Sequence, residues 1–109
     1  MASLNQLLRR ANLAWHGVKL GQPDWGESSH SIALTVGIPQ EMLLLHLVSN
    51  AYWEPLDFEL PRVDNPWRRW IDTALESPLD IVDWKTSESI LGYTYQAEAR
   101  SVVMLFTRV

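Results

Sequence analysis

Residues 50–61 read NAYWEPLDFELP, and residues 67–73 read WRRWIDT. In the first block Leu56, Phe58 and Leu60 alternate with Asp57 and Glu59. Successive side chains of a strand point to opposite faces, so this alternation predicts a strand with one wet face. Pro55 and Pro61 bracket it, because proline cannot donate to a ladder. A polar turn over residues 61–66 then leads into a second strand over residues 67–73.

Upstream, residues 42–50 are apolar on both faces except for His46, which predicts a central strand covered on both sides. Residues 31–37 alternate, and the pattern places Ile32, Leu34 and Val36 inward with Ser31, Ala33 and Thr35 outward. A first strand is predicted over residues 14–20, followed by a loop over residues 21–29. Downstream, residues 74–92 are mixed and wrap the surface, with a short strand or turn near residues 81–84. Two strands, residues 92–97 and 101–107, finish the chain, the last one central. Residues 3–12 predict a short helix capped by Ser3, with Gln6 completing a capping box. The expected fold is all-β: an antiparallel two-sheet β-sandwich of about seven strands with a short N-terminal helix. Residues 1–13 form helix and linker, and residues 14–109 form a single domain.

A chain of 109 residues suits one domain. Such a domain buries roughly 60–70% of the surface its unfolded chain exposes, enough for one core. At 47% apolar and 20% charged residues, this is a folded composition rather than a disordered one. The absence of cysteine excludes disulfides and thiolate metal sites. Of the charged side chains, residues 1–50 carry three basic and three acidic, and residues 51–109 carry six basic and ten acidic. That acidic excess argues against nucleic acid as a partner. The start, MASLNQLLRRANLAW, has an arginine pair where a signal peptide needs its apolar run. Apolar runs such as residues 42–45 are far below transmembrane length. A cytoplasmic protein without membrane contact is expected.

The order of these motifs resembles the C-terminal domain of bacterial glycogen debranching enzymes of the isoamylase type, in the alpha-amylase superfamily. Trp15-His16-Gly17 followed by Pro23-Asp24-Trp25 is similar to the family's opening strand and loop, and residues 29–34 to its second strand. Asn50-Ala51, Leu60-Pro61, Trp67 and Asp72-Thr73 match its central block. Tyr95 and Arg100-Ser101-Val102-Val103 resemble its closing hairpin. The resemblance covers nearly all of the chain beyond residue 13 and implies an antiparallel β-sandwich. It also implies that the domain is not the catalytic one. The family cleaves α-1,6 glucosidic branches with carboxylates on a barrel of roughly 200 residues or more, and no position here matches those motifs. No catalytic residue is expected.

Candidate sites read from the residues are few. Asp57 and Glu59 share a strand face at about the separation glycoside hydrolysis needs, but a solvated face explains them as well. Asp72 is expected to accept backbone hydrogen bonds in a turn. His16, His30 and His46 have no metal-ligand spacing, and His46 is expected as a hydrogen-bonded core or interface histidine. No metal and no cofactor is expected. Sugar rings present flat C–H faces that stack on exposed indoles while carboxylates and amides bond the hydroxyls. Trp25 beside Asp24, and Tyr52 with Trp53, are therefore the candidate carbohydrate-binding residues. Trp84 after Asp83 is a weaker one. For each, packing against strands or against the family's barrel is the alternative. Trp15, Trp67 and Trp70 are assigned to structure, with Arg68 and Arg69 covering the adjacent surface.

In the family, the resemblance implies, one sheet of this domain packs against the barrel. Residues 42–48 and 101–106 carry more apolar surface than a small two-layer core uses. The expected partner is a second copy in a C2 homodimer or a chain supplying the barrel. The expected function is that of a non-catalytic accessory or remnant domain of glycogen metabolism, acting by assembly. The alternatives are a small α-glucan-binding module and a truncated product with no retained role.

Overall fold

A computed structural model describes residues 12–23 and 30–108. The helix expected over residues 3–12 lies outside the described residues, save for Asn12, which opens the first strand. Seven strands are found among the described residues: β1 Asn12–His16, β2 Ser31–Ile38, β3 Leu43–Asn50, β4 Leu56–Glu59, β5 Arg68–Asp72, β6 Thr94–Ala97 and β7 Ser101–Arg108. They form a five-stranded sheet in the order β1-β2-β3-β7-β5 and a two-stranded sheet of β4 and β6. Every pair is antiparallel. The expected sandwich is therefore present, with strongly unequal sheets.

The core lies between them. Ala33, Val48, Val103 and Leu105 from the large sheet meet Phe58 and Ala97 from the small one, with Leu60 just beyond β4. Trp67 is 1% exposed and packs within this cluster. Its indole N–H donates to the Pro61 carbonyl at 2.8 Å, which satisfies the buried polar end of the ring.

The β2 faces run opposite to the sequence expectation. Ala33 pairs with the core residue Val48, and Thr35 pairs with His46, so Ala33 and Thr35 face the small sheet. Leu34 and Val36 lie on the outer face, opposite Leu47 and Leu45. The alternation was correct and the assignment of faces was not. A sheet that is apolar on both sides offers no polar stripe to mark its outside.

Two further segments depart from expectation. β1 ends at His16 rather than at residue 20. Val18 and Leu20 cross to β4, where Glu59 N–H donates to the Val18 carbonyl at 2.9 Å and Leu20 N–H donates to Glu59 Oε1 at 3.0 Å. β6 and β7 are not a hairpin, since they belong to different sheets. The turn between them is a corner, and Arg100 takes the left-handed conformation there with φ 55.

The segment over residues 74–92 runs back along the free edge of β5. Arg69 N–H donates to Glu88 O, Val82 N–H to Trp70 O and Ile90 N–H to Trp67 O. Unpaired strand edges invite association, and this segment closes one of them. The short strand expected near residues 81–84 is a single bridge at Ile81 followed by a 3-10 turn at Trp84–Thr86. Arg68 fixes the segment by donating from Nε to Ser87 Oγ at 2.9 Å and from Nη2 to Ser87 O at 2.7 Å.

Candidate functional site

Asn50 is the last residue of β3 and is fully buried. Its Oδ1 accepts from the Tyr52 N–H at 3.0 Å, the Asx-type turn that such a residue favours. Its amide nitrogen donates to the carbonyls of Glu54, Ala97 and Glu98 at 3.1, 3.0 and 3.2 Å. One side chain thus ties the loop after β3 to the corner between β6 and β7. Two backbone bonds reinforce it: Ala51 N–H to His30 O at 2.7 Å and Arg100 N–H to Tyr52 O at 3.2 Å.

That frame presents a row of rings. His30 stacks on Tyr52 with centroids 6.1 Å apart, and Tyr52 meets Trp53 at 5.4 Å and 43°. Trp53 is 65% exposed, so its indole face is open to solvent. A shallow cleft of about 300 Å³ adjoins the row, lined by Ser49, Asn50, Ala51, Arg100, Ser101 and Val102. Asn50 and Ser101 spend their side chains on internal carbonyls, the latter on Glu98 O at 2.7 Å. Ser49 and Arg100 are the lining groups left to bond a ligand. An apolar ring face beside a few polar groups is chemistry suited to a sugar.

The structure brings together Tyr52 and Trp53 from the candidate set. Asp24 and Trp25 lie outside the described residues. His30 joins the row although nothing in its local sequence marks it. Only the β2–β3 register, with Ser31 opposite Asn50, brings it beside residue 51. Trp84 is a packing residue: it stacks on Phe106 at 4.2 Å and meets the edge of Trp70 at 5.2 Å.

Two of the candidate carboxylates, Glu59 and Asp72, also have structural partners. Glu59 is held by Leu20 N–H and lies 3.8 Å from the Lys19 ammonium. Asp72 is buried, accepts the Ala74 N–H at 3.0 Å in the expected turn, and takes the Tyr95 hydroxyl on its other oxygen. Burial, and then that carboxylate, push the Tyr95 phenol well above its usual range. His46 is fully buried and hydrogen-bonded through Thr35, as expected of a core histidine. Among the described residues no three metal-ligating side chains cluster, and no helix is long and apolar enough to cross a membrane.

A second surface is continuous with this cleft. The outer face of the five-stranded sheet carries Leu13 and Trp15 from β1, Leu34 and Val36 from β2, Leu45 and Leu47 from β3, and Val102 and Met104 from β7. Leu13, Trp15 and Val102 are 50%, 44% and 40% exposed. The small sheet packs on the opposite face, and among the described residues Trp84 stacks on the Phe106 end of this one.

No curated protein matches the chain. A family model described as "Isoamylase 1-3, C-terminal" matches residues 14–107.

Proposed function

Because the chain belongs to the isoamylase 1-3 C-terminal domain family, we propose that it serves glycogen debranching as a non-catalytic domain acting by assembly. The outer face of the large sheet is the docking surface. The observation that carries this reading is the apolar row Leu34, Leu47 and Met104 across three neighbouring strands, on the face that the small sheet leaves uncovered. Contiguous exposed apolar surface of several hundred Å² marks a contact site on most folded domains. The occupant is a second copy or a barrel-bearing debranching chain.

Sedimentation velocity at high micromolar concentration, alone and with a purified debranching barrel, tests the assembly. The expected result is a dimer or a barrel complex. Leu47→Arg should weaken it while keeping a cooperative melt, since Leu47 is half-buried on the outer face. A clean monomer that also leaves the barrel unbound would overturn the reading.

A second reading, an α-glucan-binding module, is favoured by the exposed Trp53 beside Tyr52 and His30. Electrophoresis through glycogen-containing gels should then retard the chain, and Trp53→Ala should restore its mobility. Equal mobility with and without glycogen removes this reading.

A further inference from the structure

Residues 17–22 carry the chain from the end of β1, in the large sheet, across to β4 in the small one. Polar bonds hold this crossing along its length. Val18 O accepts the Glu59 N–H at 2.9 Å, and Val18 packs against the core. Glu59 Oε1 accepts the Leu20 N–H at 3.0 Å, and its other oxygen lies 3.8 Å from the Lys19 ammonium. The tip is caught by the buried His16 imidazole, whose Nδ1 accepts the Gly21 N–H at 2.7 Å. Gly21 is in the left-handed region with φ 68, so the chain turns sharply at the residue the imidazole holds. Within the turn, Gln22 N–H reaches Lys19 O at 3.3 Å, at the long end for a hydrogen bond. The turn therefore depends on His16.

The catch is a titratable group with a fixed tautomer. A backbone N–H only donates, so Nδ1 is unprotonated, and Nε2 donates to Thr35 Oγ1 at 2.9 Å. The proton that would make the ring cationic can bind only at Nδ1, where it displaces the Gly21 N–H. Among the described residues, the titratable groups facing His16 from the elements around it are His46, Lys19 and Glu59. The His46 ring, on β3, has its centroid 5.7 Å from that of His16. Lys19 is on the crossing itself, and Glu59 of β4 is committed to Leu20 and Lys19. No carboxylate bonds either imidazole nitrogen among these residues, so none stabilises a charged ring in place.

We propose that residues 19–22 form an acid-operated latch, closed while His16 is neutral and released as a lip hinged at Val18 when His16 takes a proton. The hinge holds in both states, because neither the Val18 carbonyl nor the Glu59 N–H titrates. Burial lowers the His16 pKa from its usual value near 6.5, so the latched form binds the proton more weakly than the released form. The latch is closed above about pH 6.5 and loosens as the pH falls through the lowered value. Release uncovers Leu20, which is half-buried in the closed state.

Amide exchange by NMR, expressed as protection relative to the free-peptide rate at each pH, tests the latch in the full chain. As the His16 ring signals titrate, protection of the Gly21 and Leu20 amides should fall together by about tenfold, the loss of a hydrogen bond. Protection at Glu59, whose amide makes the hinge bond, and at Val48 in the centre of the large sheet should hold over the same range. His16→Asn places a carbonyl oxygen near the position of Nδ1 that accepts without titrating, so Gly21 protection should become independent of pH. Glu59→Gln should keep the transition, since its amide oxygen still accepts from Leu20 and the His16 ring is intact. Melting curves check that both variants fold, and the co-titration in the wild type decides by itself if His16→Asn does not. Simultaneous loss of protection at Glu59 and Val48 would mean global unfolding rather than a latch. That result would overturn the proposal, as would Gly21 protection indifferent to the His16 titration, a transition retained in folded His16→Asn, or one abolished by Glu59→Gln.

Discussion

Trp67→Ala is expected to cost about 4 kcal/mol of folding stability, lowering Tm by roughly 15–25 °C. Trp67 is 1% exposed and belongs to the central cluster with Phe58, Leu60 and Leu105. Truncation removes the transfer energy of the ring and leaves a cavity that strands on both sides cannot close. It also leaves the Pro61 carbonyl without its indole donor. The His46 ring, 5.6 Å from the indole, loses its neighbour as well. Domains of this kind have about 5–15 kcal/mol in total, so the variant should be partly unfolded near body temperature. Urea unfolding followed by circular dichroism measures the effect. Trp53→Ala is the matched control: that indole is 65% exposed, and its loss should change stability by less than about 0.5 kcal/mol. A Trp67→Ala loss as small as the control's would contradict the packing described.

The same contrast shows what was legible in the sequence. Strand positions were, because proline, glycine and polar clusters punctuate them. β4 between Pro55 and Pro61, and β7 at the C-terminal end, fall where alternation places them. Which face of β2 met the core was not legible, because Ile32, Leu34 and Val36 are more apolar than Ala33 and Thr35 and yet lie outside. Local hydropathy reports burial against any apolar surface, and this sheet has one on each side. The pair Tyr52 and Trp53 stood out by composition. Asn50, which holds them, read as part of a family motif, and its role needed the fold: two of its three carbonyl acceptors lie 47 and 48 residues away.

Acidification from pH 6.5 to 4 is expected to remove about 3 kcal/mol of stability through His46 alone. The Gly21 N–H donates to His16 Nδ1 at 2.7 Å. A backbone N–H cannot reverse, so His16 is neutral with its proton on Nε2. That proton goes to Thr35 Oγ1 at 2.9 Å, and the Thr35 hydroxyl in turn donates to His46 Nδ1 at 2.9 Å. His46 therefore carries its proton on Nε2, which is buried without a hydrogen-bond partner. Protonating either imidazole turns an acceptor in this chain into a donor facing another donor. Burial, and then the charge that His16 would carry, hold the His46 pKa down at about 4; burial lowers that of His16 too. Both folded values lie below the unfolded value near 6.5, so the unfolded chain binds more protons throughout that interval. Stability is complete above about pH 6.5 and falls as the pH drops toward the folded pKa. Urea midpoints measured across this range should decline in the wild type and decline less in His46→Gln, where carboxylate titration alone remains beside His16. NMR of the imidazole carbon protons gives the direct reading. A His46 resonance titrating near 6.5 in the folded protein would show that the relay through Thr35 does not exist.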